Sequence, residues 1–114
     1  MAGIANLGVV DDATGSLYGE DEGLLAFTAD AGYLCSVIIS NYELTDAEVY
    51  VYVIPEGSTN YSDETKWAQI AYKVELEGYN VFETIRFGIN ATDEIWVAGT
   101  AGVRYFVQGI EQAV

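Results

Sequence analysis

The residues of this sequence best suited to acid–base chemistry are carboxylates, of which the chain has 18. They form close pairs at Asp11–Asp12, Glu75–Glu77 and Asp93–Glu94, and two facing carboxylates are the machinery of a glycoside hydrolase. However, 18 acids in 114 residues produce close pairs by chance, and most of the acids fall at turn signals. The sequence therefore favours solvated turn charges over a catalytic pair.

Other catalytic patterns are missing from the sequence. The chain has no histidine, which removes the Ser-His-Asp and Cys-His schemes and the commonest metal ligand. Neither of the glycine-rich phosphate cradles, GxxxxGK[ST] and GxGxxG, occurs. We therefore predict a protein that is not an enzyme and that holds no cofactor.

One acidic stretch is a candidate metal site, and one cysteine is a candidate reactive thiol. The stretch GEDEG at 19–23 has the oxygen ligands that calcium prefers, but it lacks the alternating ligand spacing of an EF-hand loop. We expect an acidic turn there and no bound metal. Cys35 lies in the apolar stretch GYLCSVII, which predicts a buried and inert thiol.

The net charge of −14 excludes several kinds of partner. Nucleic-acid backbones and anionic membranes need clustered basic residues, and the four present are scattered: Lys66, Lys73, Arg86 and Arg104. No apolar run approaches the roughly 20 residues of a membrane helix. A DNA mimic would need its acids spaced along one face, whereas here they gather in turns. Self-association must therefore rest on apolar contacts or on bound cations.

Short apolar stretches alternate with turn signals along the whole chain. The turn signals recur at a spacing of about ten residues, which is typical of antiparallel sandwiches and barrels. We predict an all-β antiparallel β-sandwich, jelly-roll-like or Ig-like, with about 7–8 strands and no long helix. The predicted strands are Leu24–Thr28, Tyr33–Asn41, Glu48–Ile54, Trp67–Leu76, Asn80–Ile89, Glu94–Ala98 and Val103–Ile110, with a weaker one at Asn6–Val10.

The chain length fits one domain, 1–114, with residues 1–23 as a candidate extended N-terminal arm. Only Ser62–Trp67 is expected to form a helical turn, because Ser62 can cap it. Alternation within the strands predicts which side chains fill the core. They are Val37, Ile39, Val51, Val53, Ile70, Val74, Ile85, Phe87, Ile95, Val97, Tyr105 and Val107.

The stretch EVYVYVIPEG, at 48–57, lacks the polar face that a half-buried strand should have. Its valines point to one side, and Tyr50, Tyr52 and Ile54 point to the other. Tyrosine is a good strand former and suits a solvent-facing side. It also suits protein contacts that have a wet edge. We favour the contact, and we predict that Tyr50, Tyr52 and Ile54 form a subunit interface.

Five stretches together resemble a group of small strand-rich virion proteins of tailed bacteriophages. An Ala-Gly turn leads into a strand that ends in Asn, a strand closes in Pro-x-Gly, and the last strand ends in Gly-x-Glu. The stretches are TADAGYLCSVIISN (28–41), VYVYVIPEG (49–57), IAYKVELEGYN (70–80), INATDEIWV (89–97) and VRYFVQGIE (103–111). Asp30 stands where a proline is common in the group, and the acidity is unusual for it. The group implies a role in virion structure and supplies no catalytic residues.

Within that role, we expect an outer capsid decoration (cement) protein that binds joints between major capsid protein subunits. A chain of −14 would be repelled by packaged DNA, which places it on the outer surface of the head or on the tail. A homotrimer is expected at local threefold positions. The alternatives are a tail, baseplate or fibre component, and a glycan-binding module of the virion. A glycan binder should expose aromatic rings in loops.

Overall fold

The computed structural model describes residues 4–12, 23–55 and 68–112, and these ranges consist of strands, turns and loops without a helix. The strands are Ala5–Asp11 (β1), Leu24–Thr28 (β2), Tyr33–Asn41 (β3), Ala47–Ile54 (β4), Ala68–Leu76 (β5), Val81–Glu83 (β6), Phe87–Ile89 (β7), Glu94–Gly99 (β8) and Val103–Glu111 (β9). The predicted bounds of β2 and β3 are confirmed to the residue. Two other expectations, the helical turn at Ser62–Trp67 and most of the acidic stretch at 19–23, lie outside the described residues.

The strands form two antiparallel sheets, so the chain is an antiparallel β-sandwich, as predicted. In sheet A the order is β1, β9, β3 and then β6 and β7, which both pair with β3. In sheet B the order is β2, β8, β4, β5. Residues 5–11, within the predicted N-terminal arm, are β1, an edge strand of sheet A.

The core lies between the two sheets and is built from alternate side chains of each strand. Its buried members are Ala29, Cys35, Val37, Ile39, Ala47, Val49, Val51, Val53, Ala71, Leu76, Ile89, Ile95, Val97, Val103, Tyr105 and Val107. Most of the predicted core is confirmed here. Ile70, Val74 and Phe87 are partly buried and pack against the cluster.

Ile85 corrects the sequence prediction, because it is 72% exposed rather than buried. The predicted strand Asn80–Ile89 is two short strands, and the pairing with β3 shifts by one residue between them. Glu83 pairs with Ile38, but Phe87 pairs with Cys35. One extra residue in this strand exchanges its inward and outward positions. Phe82 therefore faces the core before the break, and Phe87 faces it afterwards.

Thr84 holds this break in place. Its backbone N–H donates to the Val37 carbonyl at 3.0 Å, and its hydroxyl accepts the Val37 N–H at 2.9 Å. The hydroxyl also donates to the Ile85 carbonyl at 2.9 Å. A buried threonine side chain thus replaces a strand carbonyl as the partner of Val37.

Irregular pairing is a property of every edge of the two sheets, whereas the central pairs are regular. β3 and β9 pair without a shift from Tyr33 to Asn41, and β4 and β8 pair without a shift from Val49 to Ile54. The edge strands β1 and β2 each contain one register shift and β5 contains two, while the β6–β7 edge is broken. Bulged edges are poor templates for adding a strand from another chain.

One end of the sandwich is tied together by the buried amide of Asn41, where β3 ends. Its Nδ2 donates to the carbonyls of Thr45, Leu76 and Glu77 at 2.8, 3.1 and 3.2 Å. Its Oδ1 accepts the Glu43 N–H at 3.0 Å. The side chain therefore joins the end of β3 in sheet A to the end of β5 in sheet B.

Candidate interaction site

The predicted interface residues lie on the outer side of sheet B, but the isolated chain already buries two of them. Tyr52 is 0% exposed and Ile54 is 3% exposed. With Ala98 they form a second apolar cluster, against which Tyr50 and Trp96 pack. This cluster is separate from the core between the sheets. Side chains that the chain itself buries offer no surface to a partner, so Tyr52 and Ile54 have a role inside the monomer.

Tyr50 is the partly exposed member of the predicted interface. Its ring lies nearly parallel to that of Tyr52, with centroids 6.4 Å apart, and edge-to-face with Tyr72 at 5.7 Å. Burial, followed by the nearby Glu48 carboxylate, raises the pKa of the Tyr50 phenol. Tyr72 is 53% exposed. A subunit contact through Tyr50 stays a prediction, and it would use the Tyr50–Tyr72 pair rather than the three predicted residues.

A larger apolar surface that the sequence prediction missed covers the outer side of sheet A. We call it the A face and define it by Ile4, Val9, Leu34, Ile38, Val81, Phe106 and Ile110. The pairings Val9–Phe106–Ile38 run across three adjacent strands in one row. Leu34, Ile38, Phe106 and Ile110 are half-buried, while Ile4, Val9 and Val81 are 63%, 46% and 63% exposed.

The sequence carried a signal for this surface. In β3, YLCSVIISN, Leu34 and Ile38 are apolar at positions opposite to the inward Val37 and Ile39. Ser36 and Ser40 alternate with them on this outer side, which is therefore mixed rather than fully apolar, unlike the tyrosine side of β4. Both strands place large apolar side chains on their outer sides, but Tyr52 is buried in the folded chain, whereas Leu34 and Ile38 are only half-buried.

Polar groups of the A face form a small connected network. Ser36 Oγ donates to Glu83 Oε2 at 3.0 Å. Gln108 Nε2 lies 3.0 Å from Ser36 Oγ and 3.1 Å from Glu83 Oε2, and donates to both. Beside the network, Arg86, Ile4 and Ile110 help to line a depression of about 30 Å³. That volume suits about two water molecules, so the depression is not a small-molecule pocket.

A second polar group lies where β1 ends, around Asp12. Asp12 Oδ1 accepts the Gly102 N–H at 2.6 Å and the Tyr42 hydroxyl at 2.9 Å. These bonds, that from Gly102 first, lower the pKa of the Asp12 carboxyl. Arg104 pairs with Asp11 at 2.6 Å and lies 5.7 Å from the centre of the Tyr42 ring. The predicted carboxylate pair Asp11–Asp12 therefore fastens the end of β1 to its neighbours.

Within the described ranges, the remaining candidates for chemistry are the Cys35 thiol and groups of side chains that could bind a metal ion. Cys35 is buried, and desolvation raises the pKa of its thiol to about 11, in agreement with an inert thiol. Residues 4–12, 23–55 and 68–112 contain no group of three or more His, Cys, Asp or Glu side chains placed to hold a metal ion. Within the same ranges there is no helix long and apolar enough to cross a membrane.

Comparison with known proteins gave no relative from which to transfer a function. No protein-family model matches the chain, and the search of curated proteins found no match either.

Proposed function

We propose that this chain is a structural protein of a tailed-bacteriophage virion, most specifically an outer capsid decoration protein. Its partner is the major capsid protein, and it stabilises the head by binding joints between capsid subunits. The proposal rests on the resemblance of roughly residues 24–111 to small virion proteins, together with the β-sandwich fold.

The observation that carries the proposal is the open apolar A face on a chain of net charge −14. A contiguous apolar surface on a soluble domain is typical of a protein contact. The central strands β3 and β9, which carry much of this surface, pair without a register shift from Tyr33 to Asn41. The bulged edges discourage uncontrolled strand pairing, which a protein present in many neighbouring copies must avoid.

The acidity of the chain supports a position outside the shell. Packaged DNA repels a strongly acidic chain, whereas joints between capsid subunits can accept an apolar contact. A decoration protein acts by bridging, and it needs rigid surfaces rather than a pocket. The depression on the A face, at about 30 Å³, is consistent with that need.

Localisation on purified virions tests the proposal. Cryo-electron microscopy of virions with and without the gene should reveal density for this chain on the outer surface of the head. Heads that lack the chain should release DNA at a lower temperature. Density on the tail would instead support a tail or baseplate component, and absence of the chain from purified virions would contradict both.

One observation favours a glycan-binding module as the second candidate. Tyr79 lies in the turn between β5 and β6 and is 67% exposed, so it offers an aromatic ring of the kind that stacks on sugars. Tyr42 is also exposed, but Arg104 lies over its ring and its hydroxyl is bonded to Asp12. A glycan array probed with the protein and with Tyr79→Asn separates the candidates, because a decoration protein should bind no glycan in either form.

A further inference from the structure

We propose that the A face is where two copies of this chain pack against each other, related by a two-fold axis. This inference goes beyond the virion role, and it concerns the purified chain in solution, where no capsid subunit competes for the A face. Its first support is exposure. The isolated chain leaves Ile4, Val9 and Val81 at 46–63% exposed, beside four half-buried apolar side chains of the same face.

The second support is the distribution of charge. Among the residues that the structure describes, the charged side chains on the A face are Asp11, Glu83, Arg86 and Arg104, which gives 2 − 2 = 0 there. The whole chain has 4 − 18 = −14, so the rest of the chain carries 2 − 16 = −14. Two copies that meet through the A face bring no net like charge together, whereas the net charge of −14 is carried by the remaining residues, and like charges repel. The A face is the surface through which identical acidic chains can approach.

The third support is complementarity within the face itself. Arg104 is already paired with Asp11, whereas the donors to Glu83 within the described part of the chain are the neutral Ser36 and Gln108. Arg86 and Glu83 lie on either side of the β6–β7 break. The proposed two-fold axis lies in the plane of the A face and crosses the β6–β7 edge between Glu83 and Arg86. With this axis, Arg86 of each copy lies opposite Glu83 of the other copy. Such a contact is self-complementary, as a two-fold interface must be.

The size of the face sets the expected strength. Strands about 4.8 Å apart with a rise of about 3.3 Å per residue give four strands of about seven residues an area of roughly 450 Å² per copy. The total of roughly 900 Å² lies below the range of stable complexes. We therefore expect a weak pair that forms at high protein concentration. The homotrimer expected from the sequence would need two different surfaces per chain.

Light scattering and sedimentation equilibrium over a range of protein concentrations test the proposal. The purified chain should change from monomer to dimer as its concentration rises. High salt should favour the pair, because a Debye length of about 3 Å at 1 M screens the repulsion between the chains. A chain that stays monomeric at every concentration, or that forms a trimer, would overturn the proposal.

Matched variants locate the contact. Val9→Thr with Val81→Thr keeps shape and strand preference at exposed positions, and it should raise the dissociation constant by about tenfold or more. Leu44→Thr and Tyr72→Thr change exposed side chains elsewhere and should leave the constant unchanged. Loss of the pair in Tyr72→Thr, with no effect of the A-face variant, would assign the contact to sheet B and refute the proposal.

A charge exchange tests the two-fold arrangement. Arg86→Glu should weaken the pair, because it sets two glutamates opposite each other. Adding Glu83→Arg to the same chain should restore it. Thermal unfolding of each variant monitors the fold, and a folded double variant that stays as weak as Arg86→Glu would rule out this pairing.

Discussion

The hydroxyl of Tyr105, on β9 of sheet A, donates a 2.7 Å hydrogen bond to the carbonyl of Ala98, on β8 of sheet B. Both residues are 0% exposed. The bond crosses the core and fixes the separation of the two sheets at this point. Gly99 lies beside this bond: a Cβ there would clash first with the Glu48 carbonyl oxygen and would also lie 2.8 Å from the Tyr105 hydroxyl oxygen.

Tyr105→Phe should lower the free energy of unfolding by about 1–3 kcal/mol, because it leaves the buried Ala98 carbonyl without this donor. Chemical denaturation measures the change. Tyr72→Phe is the control, since Tyr72 is half exposed, and it should differ from the unchanged protein by less than about 0.5 kcal/mol. Equal effects of the two substitutions would contradict the role of the bond between the sheets.

Asn41→Ala should be among the most destabilising polar substitutions. It removes the donor to three carbonyls, and an unsatisfied buried acceptor costs about 1–3 kcal/mol. Asn41→Asp distinguishes this cause from loss of volume. A carboxylate facing three carbonyls has its pKa raised in the folded state, so the stability of this variant should be highest at low pH and should fall as pH rises. A variant whose stability does not depend on pH in the acid range would argue against the hydrogen-bond explanation.

Two isoleucines offer a matched test of the register change in sheet A. Ile95 is 0% exposed and Ile85 is 72% exposed. Ile95→Ala should cost about 2–5 kcal/mol through lost burial and the cavity it leaves, whereas Ile85→Ala should cost less than about 0.5 kcal/mol. Denaturant titration of both variants measures the difference. A large loss of unfolding free energy in Ile85→Ala would instead support the single continuous strand Asn80–Ile89 that the sequence predicts.

Tyr52→Ser should act on folding rather than on assembly, because Tyr52 is fully buried in the single chain. Removing a buried aromatic side chain costs about 3–5 kcal/mol. Tyr50→Ser should cost less, since Tyr50 is partly exposed. Thermal unfolding and light scattering on both variants separate the two roles. A Tyr52→Ser protein that keeps its melting temperature but loses assembly would reinstate the predicted interface.

The thiol of Cys35 should make stability depend on alkaline pH. Burial raises its pKa from 9.0 to about 11, so the folded state retains the proton at pH values where the unfolded state loses it. This contribution is present below pH 9 and is lost as pH rises from about 9 to about 11. Cys35→Ala should flatten the decline in that interval. A thiol reagent should leave the native protein unmodified near neutral pH, and rapid labelling there would contradict burial.

The sequence determined the local elements of this protein. Alternating apolar residues and frequent turn signals were sufficient for the fold class and for the bounds of β2 and β3. They also identified most of the core, because a strand with a period of two must place alternate side chains together. The loss of a polar side in β4 singled out Tyr52, which the chain itself buries, but it did not show whether the chain or a partner covers that side.

Only the tertiary structure decided which sides of the sheets stay open. One extra residue beside Thr84 exchanges inside and outside along the β6–β7 edge, and its position depends on bonds to Val37, which is 47 residues away in the sequence. Likewise, β3 and β4 both carry large apolar side chains on their outer sides, yet Tyr52 is buried whereas Leu34 and Ile38 are only half-buried. Periodicity fixes which residues share a side of a strand, whereas burial depends on the segments that pack against it, and those contacts are distant in sequence.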